Sequence, residues 1–390
     1  MGLWARATAL LAVGGTGLAV VSGAAGWGTA HRVLAAIALP PIAALVATAW
    51  VSSRRLLAPA VSALVLFGLA ALLVGRTVHL VFASLAFAAT AWAAAFTFRS
   101  SLEAGPWRDY VTLTKPRIMS LLLLTGGAGF FVGAESLSSL GAFGLTMVGL
   151  ALACGGASAL NHYLDRDIDR LMGSRTEARP VASGRVPPAA ALEFGLALSA
   201  FSFVLLDALV NLPTALLALA GNLFYVVIYT RLLKRSTAQN IVIGGAAGAV
   251  PPLVGFAGAS GHLGWPAVAM FAIVFVWTPP HFWALALMLK EHYARARVPM
   301  LPVTRGDRET ARQILWYTVL LVVVTLVPAA VGTFGVIYGV AAAILGAAML
   351  WLAVELRRTM QRAVAARLFH FSLLYLALLF VAMAIDTVVV

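Results

Sequence analysis

The sequence predicts an all-α, polytopic membrane protein with about thirteen transmembrane helices, and three observations lead there. Of its 390 residues, 62% are hydrophobic and only 11% are charged. The mean hydropathy is +0.96, more apolar than a water-soluble core requires. Apolar runs of about 20 residues recur along the whole chain, each long enough to cross a bilayer as a helix. Finally, 25 of the 27 lysines and arginines fall on one side when those runs alternate across a membrane.

The runs fall at about 7–26, 33–51, 57–75, 79–98, 118–135, 141–163, 188–208, 211–231, 238–258, 264–289, 313–333, 335–355 and 368–388. The first follows Arg6 and could pass for a signal peptide. Its length and the spans after it favour an uncleaved first helix. With the N-terminus inside, the inner segments carry Arg6, Arg54, Arg55, Arg99 and the basic residues between Arg108 and Arg117. They also carry those of 166–185, 231–235, 290–312 and 357–367, leaving only Arg32 and Arg76 outside. An incorrect span count would scatter these charges. The expectation is a cytoplasmic N-terminus and an outer C-terminus. The net charge of +13 is then mostly a topology signal and implies no nucleic-acid partner. The single Cys154 sits in an apolar run, so no intrachain disulfide framework exists.

One long polar break interrupts the first third, at 100–117, with Trp107 and Tyr110 suited to a membrane interface. It divides the chain into a four-helix unit at 1–99, a linker at 100–117 and a nine-helix unit at 118–390.

The chemistry concentrates in the second unit. Residues 161–185, NHYLDRDIDRLMGSRTEARPVASGR, hold four acidic and five basic side chains between two apolar spans. Asn161, Asp165 and Asp169 are spaced i, i+4, i+8, which places them within about 80° of arc on one helix face. Asp167 points roughly the other way. Two further inner loops are basic, 229–240 (YTRLLKRSTAQN) and 290–312 (KEHYARARVPMLPVTRGDRETAR). Three such loops on one membrane face would form a cationic, metal-binding cap over a helical bundle. A diphosphate fits it: Mg²⁺ takes one or two carboxylates plus phosphate oxygens, and Arg and Lys cover the remaining oxygens. The competing reading is a set of solvated salt bridges at helix ends, common in transporter loops.

The stretch NHYLDRDIDRLMGSRTEARPVASGRV resembles the first Asp-rich motif of UbiA-type intramembrane prenyltransferases. YTRLLKRSTAQNIVIGGAAGAVPPLVGFAG from Tyr229, WTPPHFWALAL from Trp277, VPMLPVTRG from Val298 and TKPRI from Thr114 are similar to the family's heme-farnesylating branch, over about 105–390. The resemblance implies a nine-helix fold with a cavity open to the membrane of a bacterial or archaeal cell. It also implies farnesyl transfer from farnesyl diphosphate to a vinyl group of heme B, with Mg²⁺ and addition of water, giving heme O for heme-copper oxidase assembly. Carried over residue by residue, Asn161, Asp165 and Asp169 match the metal and diphosphate motif, and Lys234 joins them as a catalytic candidate. Lys115, Arg175, Arg179 and Arg235 become candidates for diphosphate or heme-propionate contacts, with Tyr229 and Asn240 near the cavity mouth. One departure stands out. The family commonly has an acidic residue directly before the Tyr of KEHYARARVPMLP, where this chain has His292. Glu291 is the remaining candidate for the second acidic role. His281 follows a Pro pair that should kink its helix. It could contact the porphyrin or its iron, or bond a carbonyl freed by the kink. His162 is expected off the Asp face, without a role.

In the N-terminal unit, His31 and His79 begin the second and fourth helices at similar depth. Bis-histidine heme ligation across a bundle needs that arrangement, although plain solvation explains either histidine alone. HRVLAAIALPPIAALVATAW and the His-led fourth span look similar to one half of heme A synthase. The resemblance implies a fused, non-catalytic half unit, a b-type heme at His31 and His79, and a heme A synthase partner. The brief first outer loop, Gly26-Trp27-Gly28, lacks the acidic, cysteine-bearing segment of that family's catalytic half. Two alternatives stand beside the heme reaction: a prenyltransferase acting on an aromatic quinone precursor, and a non-enzymatic heme carrier or transporter. WTPPHFWAL and VPMLP resemble the heme branch and argue against the first. The absence of a clear internal repeat argues against the second.

Overall fold

The structure is a computed structural model that describes residues 8–16, 19, 37–47, 60–67, 86, 107–134, 140–173 and 176–389. Among the described residues, nine helices are long and apolar enough to cross a membrane. They are α1 (Pro116–Gly133), α2 (Leu140–Leu164), α3 (Pro188–Leu209), α4 (Leu212–Ser236), α5 (Asn240–Ser260), α6 (Trp265–Met288), α7 (Asp307–Ala330), α8 (Val336–Thr359) and α9 (Arg362–Val389). They correspond one to one with the nine expected spans. The two largest shifts are at the starts of α7 and α9, each six residues earlier than the hydropathy reading of 313 and 368. Charged and polar first turns such as Asp307-Arg308-Glu309 continue the helix beyond the apolar region, where hydropathy has no signal. In the first hundred residues, 8–16, 37–47 and 60–67 are helical. The rest of the four expected N-terminal spans, with His31 and His79, lies outside the described residues.

Helix ends follow from their residues. Proline opens α1 and α6 within the first turn, where its missing N–H costs nothing. The Asn211 side chain caps α4 by accepting from Thr214 N at 2.9 Å. Gly261, at φ 75°, ends α5 in the left-handed conformation. In α9, Asp386 accepts from the backbone N–H groups of Gly335 and Tyr338, so its carboxylate caps α8 from a neighbouring helix.

The helices form two groups. Successive helices α2 to α5 pack on one another, as do α6 to α9, with α6 also against α9. Contacts of α5 with α6 and of α9 with α1 join the groups, and α1 packs on both α2 and α5. The α1–α5 crossing is close because side chains are missing there. A Cβ on Gly129 would lie 2.3 Å from the Pro252 carbonyl oxygen, and one on Gly255 would lie 1.8 Å from the Gly126 carbonyl oxygen. This is the small-residue approach typical of membrane helices. The largest apolar core lies in the second group and holds Trp283, Tyr338, Tyr375 and Phe380. Described residues of 9–86 form their own cluster around Ile42, Leu45 and Phe67.

Part of the stretch expected as a linker is structured. Trp107–Leu113 is a helix whose Leu113 is fully buried. Its Asp109 pairs with Arg185 at 3.1 Å, so this helix docks on the nine-helix unit.

Candidate active site

The site forms where α2 runs out. The helix ends at Leu164, and Asp165 leaves ideal geometry at φ −90°, ψ 4° before a short helix, Arg166–Leu171. The helical hydrogen bonds nevertheless continue across the break. Asp165 N donates to Asn161 O and Asp169 N to Asp165 O, each at 2.8 Å. The i, i+4, i+8 spacing therefore keeps its meaning, and Asn161, Asp165 and Asp169 are all buried.

Two other elements bring cations to this face. Lys115 precedes Pro116 in a left-handed conformation, φ 51°, and its Nζ donates to Asn161 Oδ1 at 2.7 Å. The second half of α4 is π-helical over Phe224–Leu233. Its wider turn aligns Thr230 and Lys234 toward α2. Asn161 Nδ2 donates to Thr230 Oγ1 at 3.1 Å, and Lys234 donates to Asp165 Oδ2. Arg179, from the loop after the Asp-rich stretch, donates to Asp169 Oδ1 at 2.7 Å. Three cations thus surround two buried carboxylates.

The electrostatics follow from burial and from these pairs. Loss of hydration, helped by the Arg179 guanidinium, pulls Lys115 from 10.5 down to about 7. Burial raises the Asp169 carboxyl while Arg179 opposes the rise. Asp167 differs: its hydrogen bond to Arg235 holds it near 2 on the exposed side. The expectation that Asp167 points away from the site is met.

Two buried oxygens, Asp165 Oδ1 and Asp169 Oδ2, have no hydrogen-bond partner. An orphaned buried carboxylate oxygen is costly, and a divalent cation would satisfy both, so these residues fit one. Among the described residues no cluster of three or more His, Cys, Asp or Glu gathers. The protein therefore offers two carboxylates and leaves other positions to ligand oxygens, the pattern Mg²⁺ tolerates. In this arrangement the Asn161 oxygen is taken by Lys115.

The other sequence candidates divide. Tyr229 stacks on Tyr225 at 5.5 Å between ring centroids and lies over Gly244, where a Cβ would come within 2.3 Å of its ring. Asn240 is fully buried, donates to Thr237 O at 2.7 Å, and leaves its Oδ1 without a partner. Arg235 clamps Asp167 and the Leu164 carbonyl, each at 2.7 Å, so it locks the end of α4 to the end of α2. Glu291 is exposed on the short helix Lys290–Arg295 and makes no ion pair among the described residues, and the structure does not bring it into the cluster. Arg175 lies outside the described residues.

Sequence reasoning missed Thr230, Tyr225 and Tyr293. Tyr293, one residue beyond His292, lies within the electrostatic reach of Tyr229 and Lys234. Thr230 and Lys234, four residues apart, share one face of α4, and hydropathy carries no trace of the π-helical turn in which Thr230 lies. His162 is buried with both ring nitrogens unpartnered, a feature the sequence reading did not anticipate.

Comparisons with known proteins bear on the family and the fold. Residues 122–381 match the UbiA prenyltransferase family. A protoheme IX farnesyltransferase of Symbiobacterium thermophilum is 53% identical over 291 residues, covering 74% of this chain and 97% of that protein. One from Roseiflexus sp. is 50% identical over 282 residues, covering 72% of this chain and 53% of that longer protein. The fold resembles a digeranylgeranylglyceryl phosphate synthase structure, with TM-score 0.62, 18% identity, and coverage of 73% and 99% of the two chains. It also resembles a UbiA homologue from Archaeoglobus fulgidus bound to DMAPP and Mg²⁺, with TM-score 0.54, 16% identity, and coverage of 71% and 99%. With nine apolar helices among the described residues and a family match across two thirds of its length, the chain belongs to the UbiA prenyltransferase family.

Proposed function

We propose that this chain is a membrane prenyltransferase that makes heme O from heme B and farnesyl diphosphate. The observation that carries the reading is the 53% identity to a protoheme IX farnesyltransferase along nearly that protein's whole length. The Lys115, Asp165, Asp169, Arg179 and Lys234 cluster supplies the chemistry. The farnesyl C–O bond breaks, and diphosphate leaves with the electron pair. The terminal vinyl carbon of heme B bonds to the allylic carbon. Water adds to the resulting cationic carbon and loses a proton, leaving heme O and diphosphate.

Asp165 and Asp169 would hold Mg²⁺, with Asn161 as a third oxygen once released from Lys115. When bound, the ion supplies positive charge to the leaving diphosphate. Lys115, Arg179 and Lys234 cover the remaining phosphate oxygens, and their attraction grows as charge develops on the leaving group. Burial of Asp165, Asp169 and Lys234 limits water at the bond that breaks, which protects the allylic cation from early capture. Tyr229 and Asn240 line the mouth, and Arg235 holds it together. Arg175 and Glu291 remain phosphate-side or metal-side candidates from the sequence resemblance alone.

The same reading places the site loops on the cytoplasmic face, from the charge asymmetry, and the C-terminus outside. It assigns 118–390, with the docked helix Trp107–Leu113, to the transferase and 1–99 to a fused four-helix unit without catalysis. A b-type heme at His31 and His79 and a heme A synthase partner rest on the sequence resemblance alone. Incubating membranes that contain the chain with heme B, farnesyl diphosphate and Mg²⁺, then mass-analysing extracted hemes, tests the reaction. The expected product is heme B plus a farnesyl group and one hydroxyl group.

A further inference from the structure

His281 is held as if to present one nitrogen. It lies on α6, directly after Pro279 and Pro280, and is 94% buried, with 6% of its surface accessible. Its ring is sandwiched between Trp277, at 4.3 Å and 16°, and Phe369 of α9, at 4.7 Å and 23°. The two stacked faces fix the plane of the imidazole. Its Nδ1 is 2.6 Å from the Ser372 hydroxyl. That hydroxyl also lies 2.7 Å from the Phe369 carbonyl oxygen; when it donates there it accepts from His281, which is the tautomer with the proton on Nδ1 and the lone pair on Nε2. Among the described residues Nε2 makes no hydrogen bond.

A histidine that served packing alone would not need its ring plane and tautomer both set while its second nitrogen went unused. Ring orientation by neighbours and a hydrogen-bond acceptor for Nδ1 are the requirements for a metal-ligating histidine. The position is also suitable. Thr278, three residues before His281 on α6, packs on Gly245 of α5, and the preceding Gly244 lies under Tyr229 of the diphosphate cluster.

We propose that His281 Nε2 is the axial ligand to the iron of the heme substrate, and that Ser372 is the positioning residue that sets its tautomer. This rests on the heme-farnesylation reading. Iron ligation from α6 would fix the porphyrin so that a vinyl group at its rim can face the allylic carbon held by the Lys115–Lys234 cluster.

The test uses the purified full chain carrying His31→Ala and His79→Ala, so that no N-terminal histidine contributes. Ferrous heme B is added, and the iron–histidine vibration is read by resonance Raman, with natural and ¹⁵N-labelled histidine. A histidine-sensitive band that disappears in His281→Ala and returns with added imidazole supports the proposal. Affinity for heme B should fall at least about tenfold in His281→Ala and about tenfold in Ser372→Ala. Affinity for metal-free protoporphyrin IX should change less than about twofold. If His281→Ala does not fold, the isotope shift in the parent chain decides, and absence of any histidine-sensitive band overturns the ligand. Heme O formation with an unchanged spectrum in His281→Ala overturns this inference alone. A chain that makes no heme O overturns the farnesylation reading and this inference with it.

Discussion

Lys234 and Asp165 form the ion pair on which the buried cluster turns. Asp165 is fully buried and Lys234 nearly so, and removing one partner of such a pair strands the other at about 3–5 kcal/mol. Asp165→Ala should therefore lower thermal stability as well as abolish transfer. The double variant Asp165→Asn with Lys234→Met should recover much of the stability and none of the activity. Melting temperatures and heme O yields of the three chains check this; recovery of activity in the double variant would place the chemistry elsewhere. Lys115 gives a pH prediction. Its folded value of about 7 lies below the ordinary 10.5, so between those values the unfolded chain binds more protons, and this residue's contribution to stability rises with pH. A bound anion favours the protonated form. Binding of inorganic diphosphate should thus weaken as pH climbs above about 7, and Lys115→Arg should flatten that slope; titration calorimetry at several pH values measures it. The acidic motif was legible because i, i+4, i+8 spacing is a local helical property that survives the break at Asp165. The supposed second acid was not: Glu291 and Tyr293 are near neighbours in sequence, and only tertiary packing decides which of them approaches Lys234.

The π-helical half of α4 sets which residues meet α2. An α-helical register through Phe224–Leu233 would rotate the segment beyond it by about 100° per residue removed. Thr230 bonds Asn161, and Lys234 pairs with Asp165, while Val227, three residues before Thr230, is exposed. Deleting Val227 should abolish heme O formation while leaving a membrane-inserted protein, because α4 keeps enough apolar length to span. Retained activity would show that the wide turn is incidental. At the α1–α5 crossing, Gly255→Leu should prevent folding, since even a Cβ there overlaps the Gly126 carbonyl. Hydropathy located these nine helices to within a few residues at most ends, because span length is set by the bilayer. It could not report the π register, the docked helix Trp107–Leu113, or the Asp386 cap on α8. All three depend on hydrogen bonds and contacts between particular residues.

The whole molecule is organised around a polar end and an apolar body. The site loops share the end that carries Arg235–Asp167 and Lys290–Asp307. From the charge asymmetry of the sequence we propose that this end faces the cytoplasm. The lone Cys154 makes this testable: in a Cys154→Ser background, a cysteine at Glu177 should be labelled only from the inner side and one at Gly332 only from the outer side. Removing residues 1–99 should leave transfer within about threefold if the first unit is an accessory, a span comparable to ordinary variation in membrane yield. The helix Trp107–Leu113 must be retained, because Asp109 ties it to Arg185.

The central claim is that the buried carboxylates and their surrounding cations carry prenyl transfer to heme. Membranes bearing the chain or its Asp165→Asn variant, supplied with heme B, farnesyl diphosphate and Mg²⁺, test it by mass analysis of the extracted hemes. The farnesylated, hydrated heme should form with the parent chain and fall by at least about 100-fold in the variant. Equal product from both, or none from the parent chain, would contradict the account.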